Sequence, residues 1–250
     1  VNGEWLSAEE YAAEKYQITA AAIADEMKRF TAEGNPVGAL NLFEDMKKSY
    51  PHSIAFADAV ATAKIALADL ERRLAFEMGN VQTKLAERAR SIELTAQADR
   101  ERVRLAMEAE DARLKRIAEQ AAAAGRKFFP ISSIDANGLK SMQAAAVEFK
   151  RDLARPEYAA LASQVSAAQN TIKAVADSNV DAARAALTNL ESQWSQFEAL
   201  PRLKAKVAAM EAKLTATPPP AATPDAAPKP TSTPTTPAPA PSPSKDTIGL

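Results

Sequence analysis

Leu67-Ala68-Asp69-Leu70-Glu71-Arg72-Arg73-Leu74-Ala75-Phe76-Glu77-Met78-Gly79-Asn80-Val81-Gln82-Thr83-Lys84-Leu85 lies near the middle of the chain. Continued to Ile92, the positions Leu67, Leu70, Leu74, Met78, Val81, Leu85, Arg88 and Ile92 are spaced 3, 4, 4, 3, 4, 3 and 4 apart. Alternating threes and fours place them on one side of an α-helix, a heptad-like seam with one stutter near Gly79. The surrounding residues 53–124 hold no proline and a single glycine, Gly79. About 70 helix-favouring residues would reach about 100 Å if unbroken. The reading is one long coiled-coil-like helix over 52–124. Leu67, Leu70, Leu74, Met78, Val81, Leu85 and Ile92 form its packing interface, facing a second copy or later helices of the same chain.

Beyond Ile92 the seam continues through Ala96, Asp99, Val103, Ala106, Glu110, Arg113 and Ile117. Its charged members suit a solvated end or packing within the chain better than a tight two-stranded core. Four intrahelical pairs support this part: Asp99/Arg102, Glu101/Arg104, Glu110/Arg113 and Asp111/Lys115. Each contributes only ~0.2–0.5 kcal/mol.

Composition agrees with long helices. The chain has 250 residues, 46% hydrophobic and 25% charged, but aromatics are 6% and glycines number 7. Much of the apolar fraction is alanine, which favours helix and buries little area per residue. The helices therefore need extended mutual packing. The net charge of -1 gives no global pull toward nucleic acid or an anionic membrane. No apolar run approaches the ~18 residues that span a bilayer.

Before the long helix, Ser7 and Glu10 read as a capping box, with Trp5 as part of a hydrophobic staple. The first helix runs over about 8–33 with a stripe of Tyr11, Ile18, Ala22, Met27 and Phe30. Gly34 stops it. Asn35-Pro36 starts a second helix to about residue 48, with Val37, Leu40, Phe43 and Met46 on its apolar face and Leu42 beside it. Residues 1–51 form an N-terminal helical hairpin. The run Ala39-Leu40, Phe43, Pro51 resembles part of a tetratricopeptide repeat over about twenty residues. The repeat's Trp and its Gly-Tyr pair are missing. The resemblance implies a partner-binding hairpin.

After the long helix, Gly125 and Pro130 break the pattern, and residues 125–137 read as a packed loop or short strand carrying Phe128, Phe129, Ile131 and Ile134. Residues 138–214 are returning helices: about 138–154 capped by Asp135 or Asn137, a second to about Asp177, and a last over 180–214. The last carries Val180, Leu187, Leu190, Trp194, Phe197, Leu203, Val207, Met210 and Leu214, and Pro201 should kink or break it. From 215 to 250 the composition changes outright. Eleven of the 16 prolines lie between residues 218 and 243, among Ala, Thr and Ser. Such a segment buries too little to offset its ordering entropy and reads as a disordered, extended spacer.

The chemistry is sparse. With no cysteine, disulfides, thiol catalysis and Cys-based zinc sites drop out. His52 is the sole histidine, so no His pair or triad forms within one chain, and its place after Pro51 reads as a turn. Acidic neighbours such as Glu9/Glu10, Glu44/Asp45 and Glu110/Asp111 point different ways around a helix. No phosphate loop follows Gly34 or Gly38, and no nucleophile elbow exists. Residues 84–127 hold 11 basic against 8 acidic residues, a weak bias for nucleic acid. No catalytic, cofactor or metal residue is assigned.

The expectation is an all-α, elongated bundle or hairpin with a Pro-rich tail, working as a non-enzymatic structural or scaffold protein through helix–helix contacts. A partner protein or self-association is expected, with no nucleic acid and no transmembrane segment, and with cell-wall or envelope contact open to the tail. A start at Val1 is read as a removed signal peptide or a mid-chain boundary. The expected compartment is the periplasm, envelope or exterior; lack of cysteine fits the cytosol as well. Two alternatives stand beside this: a helical-repeat adaptor, and an enzyme whose site has no sequence signature.

Overall fold

The computed structural model describes residues 8–215. Ser7, Trp5 and the tail from 216 onward lie outside the described residues. The order is α1 (Ala8–Ala32), α2 (Pro36–Ser49), α3 (Ala55–Leu94), α4 (Gln97–Ala123), α5 (Ala136–Leu153), α6 (Pro156–Ala176), α7 (Val180–Gln193) and α8 (Leu200–Thr215). No strand occurs among the described residues, so the 125–137 segment is a loop.

The turn between α1 and α2 follows the sequence closely. Gly34 has φ +70°, and a Cβ there would come within 2.9 Å of an Arg73 side-chain nitrogen. The next residue, Asn35, caps α2 by accepting from the Gly38 amide at 2.9 Å, with Pro36 in the first turn. Leu40, Phe43 and Met46 are fully buried. The α1 stripe is rotated from the expected one. Of the expected stripe, Met27 is buried and Phe30 half-buried against the core, but Tyr11, Ile18 and Ala22 face solvent, and Ala20 and Ala24 are buried in their place. Alanines Ala39, Ala59, Ala63 and Ala66 lie opposite on α2 and α3, all fully buried. Small side chains at the contact let α1, α2 and α3 approach closely, and on α1 Tyr11 and Ile18 are left on the outside.

The long helix is two helices. α3 ends at Leu94; Thr95 and Ala96 are extended, with ψ of 144° and 139°. No proline or glycine marks the break. The freed carbonyls are met by side chains instead. Arg100 donates to the carbonyls of Glu93 (2.7 Å) and Thr95 (3.0 Å), and the Thr95 hydroxyl donates to the Ser91 carbonyl (2.9 Å). α4 then doubles back as the second limb of a hairpin. Arg88 of α3 pairs with Asp111 of α4 at 2.5 Å. Just past the end of α4, Arg126 reaches α2, meeting Asp45 at 2.8 Å and the Asn41 carbonyl at 3.1 Å.

α5 starts at Asp135, whose side chain accepts from the Asn137 and Gly138 amides. Its buried residues Leu139, Met142, Ala146, Phe149 and Leu153 form one stripe and join Leu67, Leu70, Leu74 and Val81 in a single core with α1 and α2. Lys150 pairs with Glu71 across the α3–α5 contact at 2.9 Å. Phe149 meets Phe43 (5.6 Å) and Phe128 (5.2 Å) edge to face, which draws the 125–137 loop into the core.

α6, α7 and α8 build a second core around Ala167, Ala168, Leu190, Trp194, Phe197, Leu200 and Leu203. The expected 180–214 helix is interrupted at Trp194–Ala199 rather than at Pro201. Pro201 sits in the first turn of α8, where its missing N–H costs nothing. Trp194 and Phe197 pack with ring centroids 4.8 Å apart, so the break itself is part of the core. Of the returning helices, α5 lies along α3, whereas α7 and α8 pack on α6.

Candidate interaction surfaces

The predicted seam is divided by the fold. Leu67, Leu70, Leu74 and Val81 are buried inside the chain's own first core, and Met78 is half-buried against it. Leu85 is 40% exposed, and Ile92 is half-buried. Past Val81 the inward side of α3 passes through Lys84, Arg88 and Ile92. The opposing side of α4 carries half-buried Val103, Met107, Asp111, Leu114 and Ile117, and α4 contributes no buried residue at all.

The outer surface of this arm is held by ion pairs. Arg104 grips Glu101 through two nitrogens, at 3.0 and 2.5 Å, and Arg113 grips Glu110 at 2.8 and 2.7 Å. These hydrogen bonds hold the Glu101 and Glu110 carboxyls below the usual glutamate range. Asp99 and Arg102 pair as expected. Asp111 does not pair with Lys115; it faces inward, to Arg88 and the Ser132 hydroxyl. Between the pairs, Leu94 and Leu105 stand 77% and 52% exposed.

A second surface forms where the two cores meet. A cleft of about 390 Å³ is bounded by the α2–α3 turn (Pro51, His52), by Tyr158, Leu161 and Gln164 of α6, and by Trp194 and Gln196. The His52 turn is fixed by its backbone, whose N–H donates to the Tyr16 hydroxyl at 3.2 Å. Among the described residues, no hydrogen bond reaches the His52 imidazole, the Tyr158 hydroxyl or the Gln196 side-chain amide. Burial raises the Tyr158 phenol above its ordinary value. At one edge Lys47 pairs with Asp152. The sequence reading singled out His52 as a turn and Trp194 as core. Tyr158, Leu161, Gln164 and Gln196 carried no signal, because segments far apart in the chain supply them.

A polar joint closes the far side of that meeting. Arg202 of α8 pairs with Glu14 of α1 at 3.0 Å, and Gln17 of α1 accepts from the Ile54 amide at 3.1 Å. Beside them Glu198 is partly buried, and desolvation raises its carboxyl above the usual range against the pull of Gln17 and Arg202. Among the described residues no three His, Cys, Asp or Glu groups could hold a metal ion, and no helix is long and apolar enough to cross a membrane.

No family model, curated protein or solved structure matches this chain.

Proposed function

We propose that the chain is a non-enzymatic helical scaffold of the bacterial envelope or exterior that acts through protein–protein contact. One observation carries this: α4 spans 27 residues without a buried one. A helix of that length, carrying ion pairs on its outer face and leaning on α3 and the 125–137 loop, adds little to the core. It presents surface. The exposed Leu94 and Leu105 are the apolar points a partner would cover. The proline-rich tail, read as a spacer, supports a place outside the cytoplasm.

A photo-crosslinking amino acid at Leu94 or Leu105 tests the reading in the native host. Discrete adducts from these positions are expected, and none from Ile172 on the second core. Equal labelling at all three, or none at the arm, would sink it. The pairwise packing of α1, α2 and α3 supports the helical-repeat adaptor as a second reading. Adducts from Tyr11 and Ile18 with a silent arm would favour it.

A further inference from the structure

We infer that Glu14, Gln17, Glu198 and Arg202 form an acid-operated latch between the two cores, closed when Glu198 holds a proton and loosened when it is ionised. The latch works whether or not the arm binds a partner.

The joint lies where movement between the cores is least opposed. α6 carries the connection, with Leu161 in the first core and Ala167 and Ala168 in the second. Residues 162–166 between these anchors are exposed or half-buried. Away from α6, the second core reaches the first through half-buried Ile54 and through this polar joint. The cleft of about 390 Å³ beside His52 and Trp194 leaves room on the opposite side. Glu198 itself sits in the non-helical link between α7 and α8, the kind of segment that absorbs a hinge rotation.

Charge counting gives the sign. One cation, Arg202, serves two carboxylates: it pairs with Glu14 at 3.0 Å and attracts Glu198. With both acids ionised these groups sum to a net negative charge in a partly desolvated place. A proton on Glu198 leaves the neutral Glu14–Arg202 pair. Hydrogen bonding points the same way. Among the described residues, Glu198 Oε2 and Gln17 Nε2 are buried without an aligned hydrogen bond. An ionised carboxylate only accepts, whereas a protonated one also donates, and so gains a second way to meet the Gln17 amide. Burial holds the Glu198 carboxyl above the usual range despite Gln17 and Arg202. A proton therefore binds the closed joint more tightly than an open, solvated one, and acid favours closure. The other groups facing Glu198 are Tyr16 of α1 and, behind it, Tyr50 and His52. Burial pushes the Tyr16 phenol above its ordinary value, so it stays neutral in acid. Histidine changes charge near neutrality, so His52 has its own control.

The test uses the full chain, whose lack of cysteine confines nitroxide labels to Val147→Cys on α5 and Ala208→Cys on α8, both exposed positions. Double electron–electron resonance reads the distance between the cores at about pH 7.5 and about pH 4.5. A loosened population is expected at the higher pH, falling at least about fivefold at the lower. Glu198→Gln should stay closed at both, and His52→Gln should follow the parent. Should Glu198→Gln fail to fold, Glu14→Gln serves instead. It leaves Arg202 to Glu198 alone, and closure should then need a pH lower by about half a unit or more. A parent distribution unmoved by pH, a response kept in Glu198→Gln or lost in His52→Gln, or an unshifted midpoint in Glu14→Gln overturns the proposal.

Discussion

Truncating Leu67 and Leu85 separately asks whether the α3 seam works within one chain or between two. Leu67 is 3% exposed and packed among residues of α1, α2 and α5. Leu67→Ala leaves a cavity that rigid neighbours cannot fill, and should cost about 3 kcal/mol within the range of ~2–5 for buried leucine. Leu85 is 40% exposed. Three carbons at ~0.8 kcal/mol each, about six-tenths covered, set a ceiling near 1.4 kcal/mol; solvent fills the gap, so the expected loss is about 1. Urea unfolding followed by circular dichroism reads both. With a slope of about 2 kcal/mol per molar, Leu67→Ala lowers the midpoint by about 1.5 M and Leu85→Ala by about 0.5 M. The midpoints should not move between protein concentrations about a hundredfold apart. Equal losses at the two sites, or a midpoint that rises with concentration, would show the seam to be an interface between copies and refute the intramolecular packing.

Three further measurements probe the joints. Gly79→Ala, mid-helix in α3 with nothing within 4 Å of the added Cβ, should stabilise by about 0.5–1 kcal/mol, whereas Gly34→Ala should destabilise by about 1–2 kcal/mol through its positive φ and its approach to Arg73; thermal melts compare them, and matching signs would contradict the geometry. Glu198 has a raised carboxyl, so its contribution is fully present below its ordinary value of 4.5 and is lost as pH rises through the folded value. Glu198→Gln should therefore melt higher than the parent at pH 7, with the gap closing toward pH 4; a lower melt at pH 7 defeats this. Asp135→Ala removes the acceptor for two amides at the start of α5 and should cost about 1 kcal/mol, while an unchanged melt would mean the cap is idle.

The parts of the fold that were legible rest on local chemistry. Gly34, Asn35 and Pro36 act within a few residues of one another, and so does Asp135 at the start of α5. The break at Thr95 was not legible. It depends on Arg100 reaching back to carbonyls of the preceding helix, a contact that exists only once the chain has turned. The rotated face of α1 shows the same limit. Periodicity favoured Tyr11 and Ile18, but close three-helix packing selected Ala20 and Ala24. At the second break, Leu190, Trp194 and Phe197 have helical spacing, yet the two rings pack on each other outside a helix. Seam burial was legible as far as Val81, where α5 supplies a partner, and not beyond it. The cleft was invisible because no local pattern joins a turn, a helix and a linker.

α6 belongs to both cores: Leu161 sits in the first, Ala167 and Ala168 in the second. The bearing of one half of the molecule on the other is thus written in the phase of a single helix. One residue inserted near Ser163 would swing the second core by about 100° around the α6 axis and advance it by about 1.5 Å. Neither core would change its composition. Residue number between these two anchors, more than residue identity, sets how the halves face each other.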